Sequence, residues 1–433
     1  MRPTRRLLAL ALGAFVLAAV AVAAGGTARE GAAAVWVALA ALLAADLALS
    51  MRGALTVEAE APAEIFTGET GTLTLRTSRA PTALGARLDW PPGLGGPGDV
   101  AIAPDPAAPG QGRAEIAVRA LRRGTWAIER LWLAWPSRLG LVEFTPRLAL
   151  DLSVAAVPNI RAVRSGAIDA RVRSTLFGVK ENFARGEGSE FHQLRDWVQG
   201  MDTRAIDWKR SARHRSLVAK EMRAERNHHV IVALDNGYLM REAVEGLPKI
   251  DHAVNAALAT AWAAGLGGDL VGLFAYDARP RLFIPPEPGR RAFAHLRART
   301  AELAYESVET NHTLAMAALG ARCPRRSLIV VFSDFVDPTT AELMVENLAT
   351  LSRRHVVVFV AIRDPAVEAR ATAEPGDLDA MAEAVAAGTM VAERRVVLNR
   401  LARLGIRVID TAPGQVSPRL IALYLDLKAR EVI

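Results

Sequence analysis

Residues 228–235 read HHVIVALD, a continuous apolar run that ends in an aspartate. Runs of the same kind recur downstream as DLVGLFAYD, SLIVVFSD, HVVVFVAI and IRVID, and helical patterns separate them. Fully apolar strands that alternate with amphipathic helices are typical of a parallel sheet covered on both faces. We therefore predict a doubly wound α/β domain of Rossmann type over residues 228–433, with any ligand site at the carboxyl ends of its strands.

Two of these strands end in aspartate, at Asp235 and Asp334. A strand, an aspartate and a small-residue turn, followed by a second aspartate on a neighbouring strand, resemble the metal-ion-dependent adhesion site of von Willebrand factor A domains. The resemblance implies a von Willebrand A-like domain with a magnesium site that a later threonine completes. Thr313 is the best candidate for that threonine, and Thr310 is nearby.

The first loop of this predicted metal site departs from the family pattern. Von Willebrand A domains carry D-x-S-x-S there, whereas Gly237 and Leu239 occupy the two serine positions in this chain. Magnesium needs about six oxygen ligands, so the loss of two hydroxyls leaves more of its shell to water and lowers the expected affinity. The alternative is that Asp235 and Asp334 cap the helices that follow them or bind turn amides.

The usual catalytic and nucleotide-binding motifs are absent from the sequence. It contains no Walker A loop, no G-x-G-x-x-G after a strand, no H-E-x-x-H and no G-x-S-x-G. A hydrolase that uses the paired aspartates as general acid and base is the enzymatic alternative, but no nucleophile supports it. We assign no catalytic residue, no small-molecule substrate and no cofactor other than the magnesium ion considered above.

The residues from 53 to 158 have a different pattern. Short alternating segments, such as GTLTLRT and AEIAVRAL, are separated by turns rich in glycine and proline. Alternation with a period of two predicts strands that bury one face, and several such strands in succession are typical of an antiparallel all-β sandwich. We predict a β-sandwich domain over residues 53–158.

The chain begins with two apolar runs, residues 7–24 and 32–49. Each is near the ~20 residues that a helix needs to cross a bilayer. We therefore predict a transmembrane helical hairpin over residues 1–52, so that the lipid bilayer is itself a partner of the chain. A cleaved signal peptide is the alternative, because basic residues precede the first run and small residues follow it.

The flanking charges predict the orientation of this hairpin. Arg5 and Arg6 precede the first run and Arg52 follows the second, so the positive-inside tendency places both ends and the rest of the chain in the cytoplasm. The single cysteine, Cys323, agrees with a reducing compartment. We predict an inner (cytoplasmic) membrane protein with two spans.

Between these regions lies a charged connector, residues 159–227, which reads EFHQLRDWVQGMDTRAIDWKRSAR over residues 190–213. This stretch resembles the signature of the domain-of-unknown-function family numbered 58. That signature has an acidic residue and a phenylalanine before L-R, then an aromatic residue, a G-D-x-x-R turn, I-D-W-K and S-A-R. One departure is Met201, which separates the glycine and the aspartate that usually adjoin. The matching residues that we predict to bind a partner are Glu190, Arg195, Trp197, Asp202, Arg204, Asp207, Trp208, Lys209, Arg213 and Glu221.

This resemblance extends to the general plan of the family, in which two membrane spans, a β-rich region, the signature and a von Willebrand A-like domain follow in this order. It implies a noncatalytic, membrane-tethered adaptor or scaffold that works with a MoxR-type AAA+ ATPase and presents client proteins during assembly or maturation of complexes. A structural membrane organiser that self-associates without an ATPase is the alternative.

The connector concentrates most of the positive charge of the chain. It holds 15 basic and nine acidic residues, a surplus of six out of the net +7. Within the signature we predict that basic and acidic residues pair, while Trp197 and Trp208 pack underneath. The surplus suits a solvated structural face, an acidic protein partner or an anionic membrane surface. Nucleic acid is disfavoured, because acidic residues interrupt the basic ones.

Overall fold

The structure is a computed structural model that describes residues 1–24, 28–50, 55–81, 83–180, 190–199, 201, 203–214, 216–223 and 227–433. Within these ranges, the side chains of residues 24, 28–30, 175–180, 190–193, 195, 204, 214, 221–223 and 290 lie outside the description. The contacts between residues divide the chain into unit 1, Met1–Val157, and unit 2, Pro158–Ile433.

Unit 1 contains two long apolar helices, α1 (Arg5–Ala24) and α2 (Ala28–Ser50). The stretches Arg5–Ala23 and Gly31–Ser50 have mean hydropathies of 2.3 and 2.2 and are long enough to cross a membrane. This criterion uses length and composition, which a core helix or a signal sequence can also satisfy. At that level the prediction of two membrane-length helices is confirmed.

The other described elements of unit 1 are strands, which form a seven-stranded and a five-stranded sheet. The first sheet runs β1-β11-β10-β12-β3, with β5 branching from β10 and β7 pairing with β5, and the second runs β2-β4-β9-β6, with β8 beside β9. The strands are β1 (Arg2–Pro3), β2 (Val57–Glu60), β3 (Glu64–Phe66), β4 (Thr70–Thr77), β5 (Gly85–Leu88), β6 (Leu94–Gly95), β7 (Asp99–Ala101), β8 (Ala103–Pro104), β9 (Gly112–Ala120), β10 (Gly124–Pro136), β11 (Val142–Phe144) and β12 (Arg147–Val157).

The alternating sequence explains how these sheets bury their apolar side chains. Along β9 buried and more exposed residues alternate, as expected when successive side chains point to opposite faces. Leu73 and Ile116 from the five-stranded sheet join Leu131 and Val154 from the seven-stranded sheet in a shared buried cluster. The pairings are antiparallel apart from the parallel pair β12 and β3.

Both ends of the helical hairpin contact the same turn of unit 1, residues 137–141. Before α1, the chain pairs with β11 through β1, and the Thr4 hydroxyl donates to the Gly140 carbonyl at 2.6 Å. Near the end of α2, the Asp46 carboxylate accepts hydrogen bonds from the Ser137 hydroxyl at 2.5 Å and the Leu139 amide at 2.9 Å. The two helix ends therefore lie on the same side of the hairpin, as the hairpin interpretation requires.

Unit 2 contains the connector and the α/β region. The signature forms a two-stranded antiparallel sheet, β13 with β14, and the short helix α5 lies between these strands. The elements of unit 2 are α3 (Arg161–Arg164), α4 (Ala167–Lys180), β13 (Glu190–Asp196), α5 (Trp208–His214), β14 (Val218–Arg223), β15 (His229–Asp235), β16 (Ala243–Val244), β17 (Leu247–Pro248), α6 (Lys249–Leu266), β18 (Leu270–Tyr276), β19 (Pro280–Pro288), α7 (Gly289–Ala301), α8 (His312–Arg322), β20 (Ser327–Phe332), α9 (Glu342–Ser352), β21 (Val356–Ile362), α10 (Pro365–Thr372), α11 (Leu378–Arg403), β22 (Arg407–Thr411) and α12 (Pro413–Ala429).

The main sheet of unit 2 has the order β19-β18-β15-β20-β21-β22. From β18 to β22 all neighbours are parallel, and every residue of β20 is buried, which explains the continuous apolar runs in the sequence. The predicted parallel sheet with helices between its strands is confirmed. The antiparallel edge strand β19 was not predicted; its prolines are tolerated at an edge, where one side of the backbone needs no ladder hydrogen bond.

The strand order places a topological switch between β15 and β20. The chain leaves β15 for β18 on one side and later returns to β20 on the other side. The connections that leave these two strands therefore run in opposite directions and open a crevice at the carboxyl edge of the sheet, where open α/β sheets bind their ligands. Asp235 ends β15, and Asp334 follows β20 by two residues.

Candidate functional site at the carboxyl edge of the sheet

A cleft of about 660 Å³ opens beside this switch point. Its charged lining combines five basic and five acidic side chains, and apolar side chains from the strand ends and from α11 fill the space between them. The charged residues are Lys249, Arg363, Arg394, Arg395 and Arg419 with Glu242, Asp334, Asp364, Glu368 and Asp410, and the apolar ones include Leu239, Phe335, Ile362, Met390 and Leu398.

Asp334 is buried and binds two of the basic side chains that line this cleft. Its carboxylate accepts a hydrogen bond from the Lys249 ammonium at 2.6 Å and another from the Arg394 guanidinium at 2.7 Å. Lys249 begins α6 and also contacts Glu242, while Arg394 lies on α11 and reaches Asp410 at 3.1 Å. Side chains from two helices, α6 and α11, thus converge on the carboxylate of Asp334.

The two cations keep their charge despite their burial. Burial works to lower the pKa of Lys249, but attraction to Asp334 and Glu242 outweighs it, so the pKa is raised. The same competition between burial and the attraction of Asp334 and Asp410 raises the pKa of Arg394. The cleft therefore contains fixed charges that stay ionised at neutral pH.

Asp235 lies at the end of the adjacent strand, but its surroundings are different. Its Oδ1 accepts from the Thr310 hydroxyl at 2.6 Å and the Gly237 amide at 2.9 Å, and its Oδ2 accepts from the Ser333 hydroxyl at 2.5 Å. His312 Nε2 is 4.0 Å from Oδ2. Burial raises the pKa of Asp235, against the opposing effects of these partners. Burial likewise lowers the pKa of His312, although the aspartate opposes this shift.

The close approach of Thr310 explains the glycine at position 237. A Cβ atom at Gly237 would lie 2.0 Å from the Thr310 hydroxyl oxygen, far inside van der Waals contact. No side chain fits there while Thr310 keeps its position. Thr313, the predicted ligand, is exposed and accepts a hydrogen bond from the Asn347 amide at 2.9 Å, so the structure brings Thr310 and not Thr313 to Asp235.

The residues at the predicted magnesium site do not fit a cation. Asp334 is already neutralised by Lys249 and Arg394, and a metal ion would have to displace one of them or bear their repulsion. The oxygens of Asp235 accept three hydrogen bonds. The alternative prediction, binding of turn amides, is confirmed in part, because Asp235 and Asp334 accept from the amides of Gly237 and Phe335.

The signature segment is partly described. Trp197 is half-buried, and its backbone amide donates a hydrogen bond to the Leu217 carbonyl. Trp208 is 67% exposed, so the prediction that it packs beneath the charged residues was wrong. Asp207 caps α5 by accepting from the Arg210 amide at 3.1 Å, and this bond lowers the pKa of Asp207.

Ion pairing in the signature also differs from the prediction. The basic partner of Asp207 is Lys220, at 3.5 Å, which was not among the predicted basic residues. Lys209 and Arg213 are both exposed on α5. Asp202 lies outside the described residues, and so do the side chains of Glu190, Arg195, Arg204 and Glu221.

Sequence reasoning missed the residues that neutralise Asp334. Lys249 follows Pro248 at a helix start, and Arg394 lies inside a long helix, so neither has a local signal that relates it to an aspartate. Ser333 did have one, because it stands directly before Asp334 at the end of a strand.

Two solved structures are similar to the chain at low identity. A conserved hypothetical protein, BatB from Bacteroides thetaiotaomicron, is 13% identical with a TM-score of 0.31, and the match covers 46% of this chain and 99% of that one. Proximal thread matrix protein 1 from the mussel byssus is 11% identical with a TM-score of 0.29, and 47% of each chain is covered. Scores at this level support no conclusion about fold or function.

Sequence relatives are uncharacterised proteins of Mycobacterium bovis and Mycobacterium tuberculosis, each 26% identical over 201 residues. The match covers 46% of this chain and 62% of each relative, so the chain spans less than two thirds of their length. Residues 193–375, from β13 to beyond α10, match the family described as "Protein of unknown function DUF58", which confirms the resemblance for this stretch of the chain.

Proposed function

We propose that the chain is a noncatalytic, membrane-anchored adaptor whose cleft at the carboxyl edge binds a protein partner. The observation that carries this proposal is the buried triad Lys249–Asp334–Arg394 beside an open cleft with a mixed charged and apolar lining. Charges held in place by the fold present a fixed electrostatic pattern, which favours specificity in protein recognition. Apolar side chains between them offer the contact area that a peptide segment needs.

The composition of the cleft favours binding over catalysis. A general acid or base must change its protonation near the working pH, whereas Lys249 and Arg394 have raised pKa values and remain charged. Among the described residues that line the cleft there is no serine, threonine, cysteine or histidine. This favours an adaptor over the hydrolase alternative.

A MoxR-type AAA+ ATPase is the partner that we propose, with client proteins as its substrates, because the signature segment resembles the DUF58 family. The adjacency of Asp235 and Asp334 at the switch point supports a von Willebrand A-like arrangement in unit 2. The shared core of the two sheets supports a β-sandwich in unit 1. The arginines that flank α1 and α2 support an inner-membrane hairpin with the bulk of the chain in the cytoplasm.

Affinity purification of the full chain from native membranes, followed by mass spectrometry, tests the adaptor proposal. The cleft variant Arg395→Glu with Arg419→Glu reverses two exposed charges at the rim. Its matched control, Arg353→Glu with Arg370→Glu, reverses two exposed charges elsewhere in unit 2. We expect the ATPase to be recovered with the wild type and the control and lost with the cleft variant.

Arg195→Ala and Arg213→Ala extend the test to the signature segment. Loss of the ATPase in these variants alone would move the docking surface from the cleft to the signature. Equal recovery from every variant would contradict both docking surfaces, and recovery of no ATPase from the wild type would contradict the adaptor proposal itself.

A specific observation favours the self-associating organiser as a second candidate. One face of α11 presents Leu378, Met381, Val385 and Val396, which are between 56% and 84% exposed. Their spacing follows the helical repeat, and contiguous exposed apolar surface commonly marks an interface. The beginning of α11 is acidic and its end is basic, so a second copy could pair with it in the antiparallel direction.

Light scattering of the full chain in detergent distinguishes this organiser from a monomeric adaptor. A dimer that Met381→Glu with Val385→Glu converts to a monomer would support self-association through α11. A wild type that stays monomeric at high protein concentration would contradict it.

A further inference from the structure

A second cleft, of about 800 Å³, lies in unit 1 at the base of the helical hairpin. Four arginines, Arg5, Arg6, Arg79 and Arg138, take part in its lining, and Trp135 adds an aromatic surface. Among the described residues that line this cleft there is no aspartate or glutamate. This cleft therefore carries an excess of positive charge, whereas the cleft at the carboxyl edge of unit 2 has equal numbers of basic and acidic side chains.

The position of this cleft is defined by the ends of both apolar helices. Thr4 directly precedes α1, Arg5 and Arg6 begin it, and Leu49 and Ser50 end α2. A helix of this length that crosses a bilayer ends at the interface between the acyl chains and water. The cleft therefore lies at the depth of lipid headgroups if the hairpin spans a membrane.

The floor of this cleft is held in place by hydrogen bonds. The Ser50 hydroxyl accepts from the Arg138 amide at 2.9 Å, and Asp46 accepts from Ser137 and Leu139. The Asp46 carboxylate, 0% exposed, faces the turn and does not line the cavity. Arg138 is consequently carried by a fixed turn, and Arg5 and Arg6 by a helix start.

We propose that this cleft binds the phosphate-bearing headgroup of an anionic membrane lipid. Guanidinium groups bind phosphate oxygens in a bidentate manner and keep their charge at any physiological pH. The acyl chains of the same lipid would lie along the exposed apolar faces of α1, where Leu8, Leu12 and Phe15 are each more than half exposed. Tryptophan at headgroup level, here Trp135, is typical of membrane interfaces.

This inference rests on the proposed membrane hairpin but is independent of the adaptor role. A soluble phosphate or an acidic peptide has the same charge as the headgroup. The lipid is favoured because the cavity opens where both apolar helices end, so the bilayer delivers a headgroup to it at high local concentration.

Native mass spectrometry of the full chain in detergent, titrated with phosphatidylglycerol or with phosphatidylcholine, tests this inference. The cleft variant is Arg5→Gln with Arg138→Gln, two exposed residues of the lining. The matched control, Arg119→Gln with Arg130→Gln, removes the same charge from exposed residues outside the cleft. Each cationic side chain at a membrane surface contributes about fivefold to the binding of anionic lipid, so we expect the cleft variant to bind phosphatidylglycerol at least about tenfold more weakly.

The control variant should bind phosphatidylglycerol as the wild type does, and phosphatidylcholine should bind weakly to all three proteins. Arg79→Gln is a further variant, with an expected loss of about fivefold, if the double variant fails to fold. Equal weakening in the cleft variant and the control would overturn the inference, because general surface charge would explain the binding. Equal affinity of the wild type for both lipids would also overturn it.

A competition with inorganic phosphate separates the two sources of the anion. Inorganic phosphate is added at millimolar concentrations. If its affinity for the wild type equals that of phosphatidylglycerol, the cleft is a soluble-anion site and the lipid assignment is wrong. Release of the chain from membranes by alkaline carbonate would contradict the hairpin and this inference together. Recovery of no ATPase from a wild type that still selects phosphatidylglycerol would contradict the adaptor proposal alone.

Discussion

Unit 2 places a buried aspartate with a cationic partner at each end of its sheet. At the amino end, directly before β18, Asp269 accepts hydrogen bonds from the Lys428 ammonium at 2.7 Å and the Tyr424 hydroxyl at 2.5 Å. At the carboxyl end, Asp334 accepts from Lys249 and Arg394 at similar distances. The local chemistry of the two clusters is nearly the same, but their surroundings differ.

The amino-end cluster joins two parts of the fold. Lys428 and Tyr424 lie on α12, so Asp269 fastens the last helix to the sheet, and none of the three lines the described clefts. Asp334, Lys249 and Arg394 all line the cleft at the switch point. Of these two buried clusters, the one at the switch point, where the chain connections diverge, is open to a cleft, whereas the one at the amino end is enclosed by the fold.

The largest expected effect is at the amino end. Asp269→Asn leaves the Lys428 ammonium without its carboxylate in a buried site, which should lower the free energy of unfolding by about 3–5 kcal/mol at neutral pH. Denaturant titration of the full chain in detergent measures this change. Asp426→Asn, which breaks an exposed pair with Arg430, is the control and should cost about 1 kcal/mol or less. Equal losses in both variants would contradict the comparison.

The effect at Asp269 should also depend on pH. Burial works to raise the pKa of Asp269, but His228, Lys428 and Tyr424 outweigh it, and the pKa is lowered. The stabilisation by the ionised group is therefore present above the unfolded pKa of about 3.9 and is lost as pH falls through the folded pKa. The gap in stability between wild type and Asp269→Asn should narrow below pH 4, and a constant gap would contradict this assignment.

At the carboxyl end we expect a smaller loss of stability. Arg394→Gln removes one of the two cations of Asp334 and leaves Lys249 in place, which should cost about 2 kcal/mol. Arg400→Gln, on the same helix but in an exposed pair with Glu342, is the matched control with an expected loss of about 1 kcal/mol or less. ATPase recovery should fall with Arg394→Gln alone; unchanged recovery would mean that the triad is structural, like the cluster at Asp269.

Gly237→Ala tests the close packing beside Asp235. The added methyl group would meet the Thr310 hydroxyl, so we expect a loss of about 1–3 kcal/mol from overpacking. The double variant with Thr310→Ala removes the obstructing oxygen and should lose less than the sum of the two single variants, by about 0.5 kcal/mol or more. Strict additivity would show that the two residues do not contact each other.

Asp235→Asn should have a still smaller effect, about 1 kcal/mol or less near pH 4, because the amide reproduces the shape of a protonated carboxyl. Burial raises the pKa of Asp235, so its stabilising contribution is present below the unfolded pKa and is lost as pH rises through the folded pKa. The asparagine variant should therefore gain stability relative to the wild type as pH rises, opposite to the trend at Asp269. The same trend at both aspartates would contradict this contrast.

The smallest expected effect is that of magnesium. With Asp334 neutralised by Lys249 and Arg394, neither magnesium chloride nor a chelator should change the denaturation midpoint of the full chain. A stabilisation by magnesium that Asp235→Ala abolishes would restore the adhesion-type metal site as an explanation.

The sequence alone determined the classes of element and their order. Continuous apolar runs predicted the parallel strands, alternation predicted the β-rich region, and uninterrupted apolar helices predicted membrane-length spans. These features can be read from the sequence because each helix or strand that buries one face must repeat its apolar residues with the period of that element, whatever it packs against. The signature segment was recognisable for a similar reason, since its residues are contiguous.

Only the tertiary structure decided which side chains meet. Lys249 lies 85 residues before Asp334 and Arg394 lies 60 residues after it, and Thr310, not Thr313, reaches Asp235. Strand order and the placement of α6 and α11 create these contacts, and no local period encodes them. The sequence could therefore place two aspartates at the edge of one sheet, whereas only the fold could show that lysine and arginine stand where a metal ion was expected.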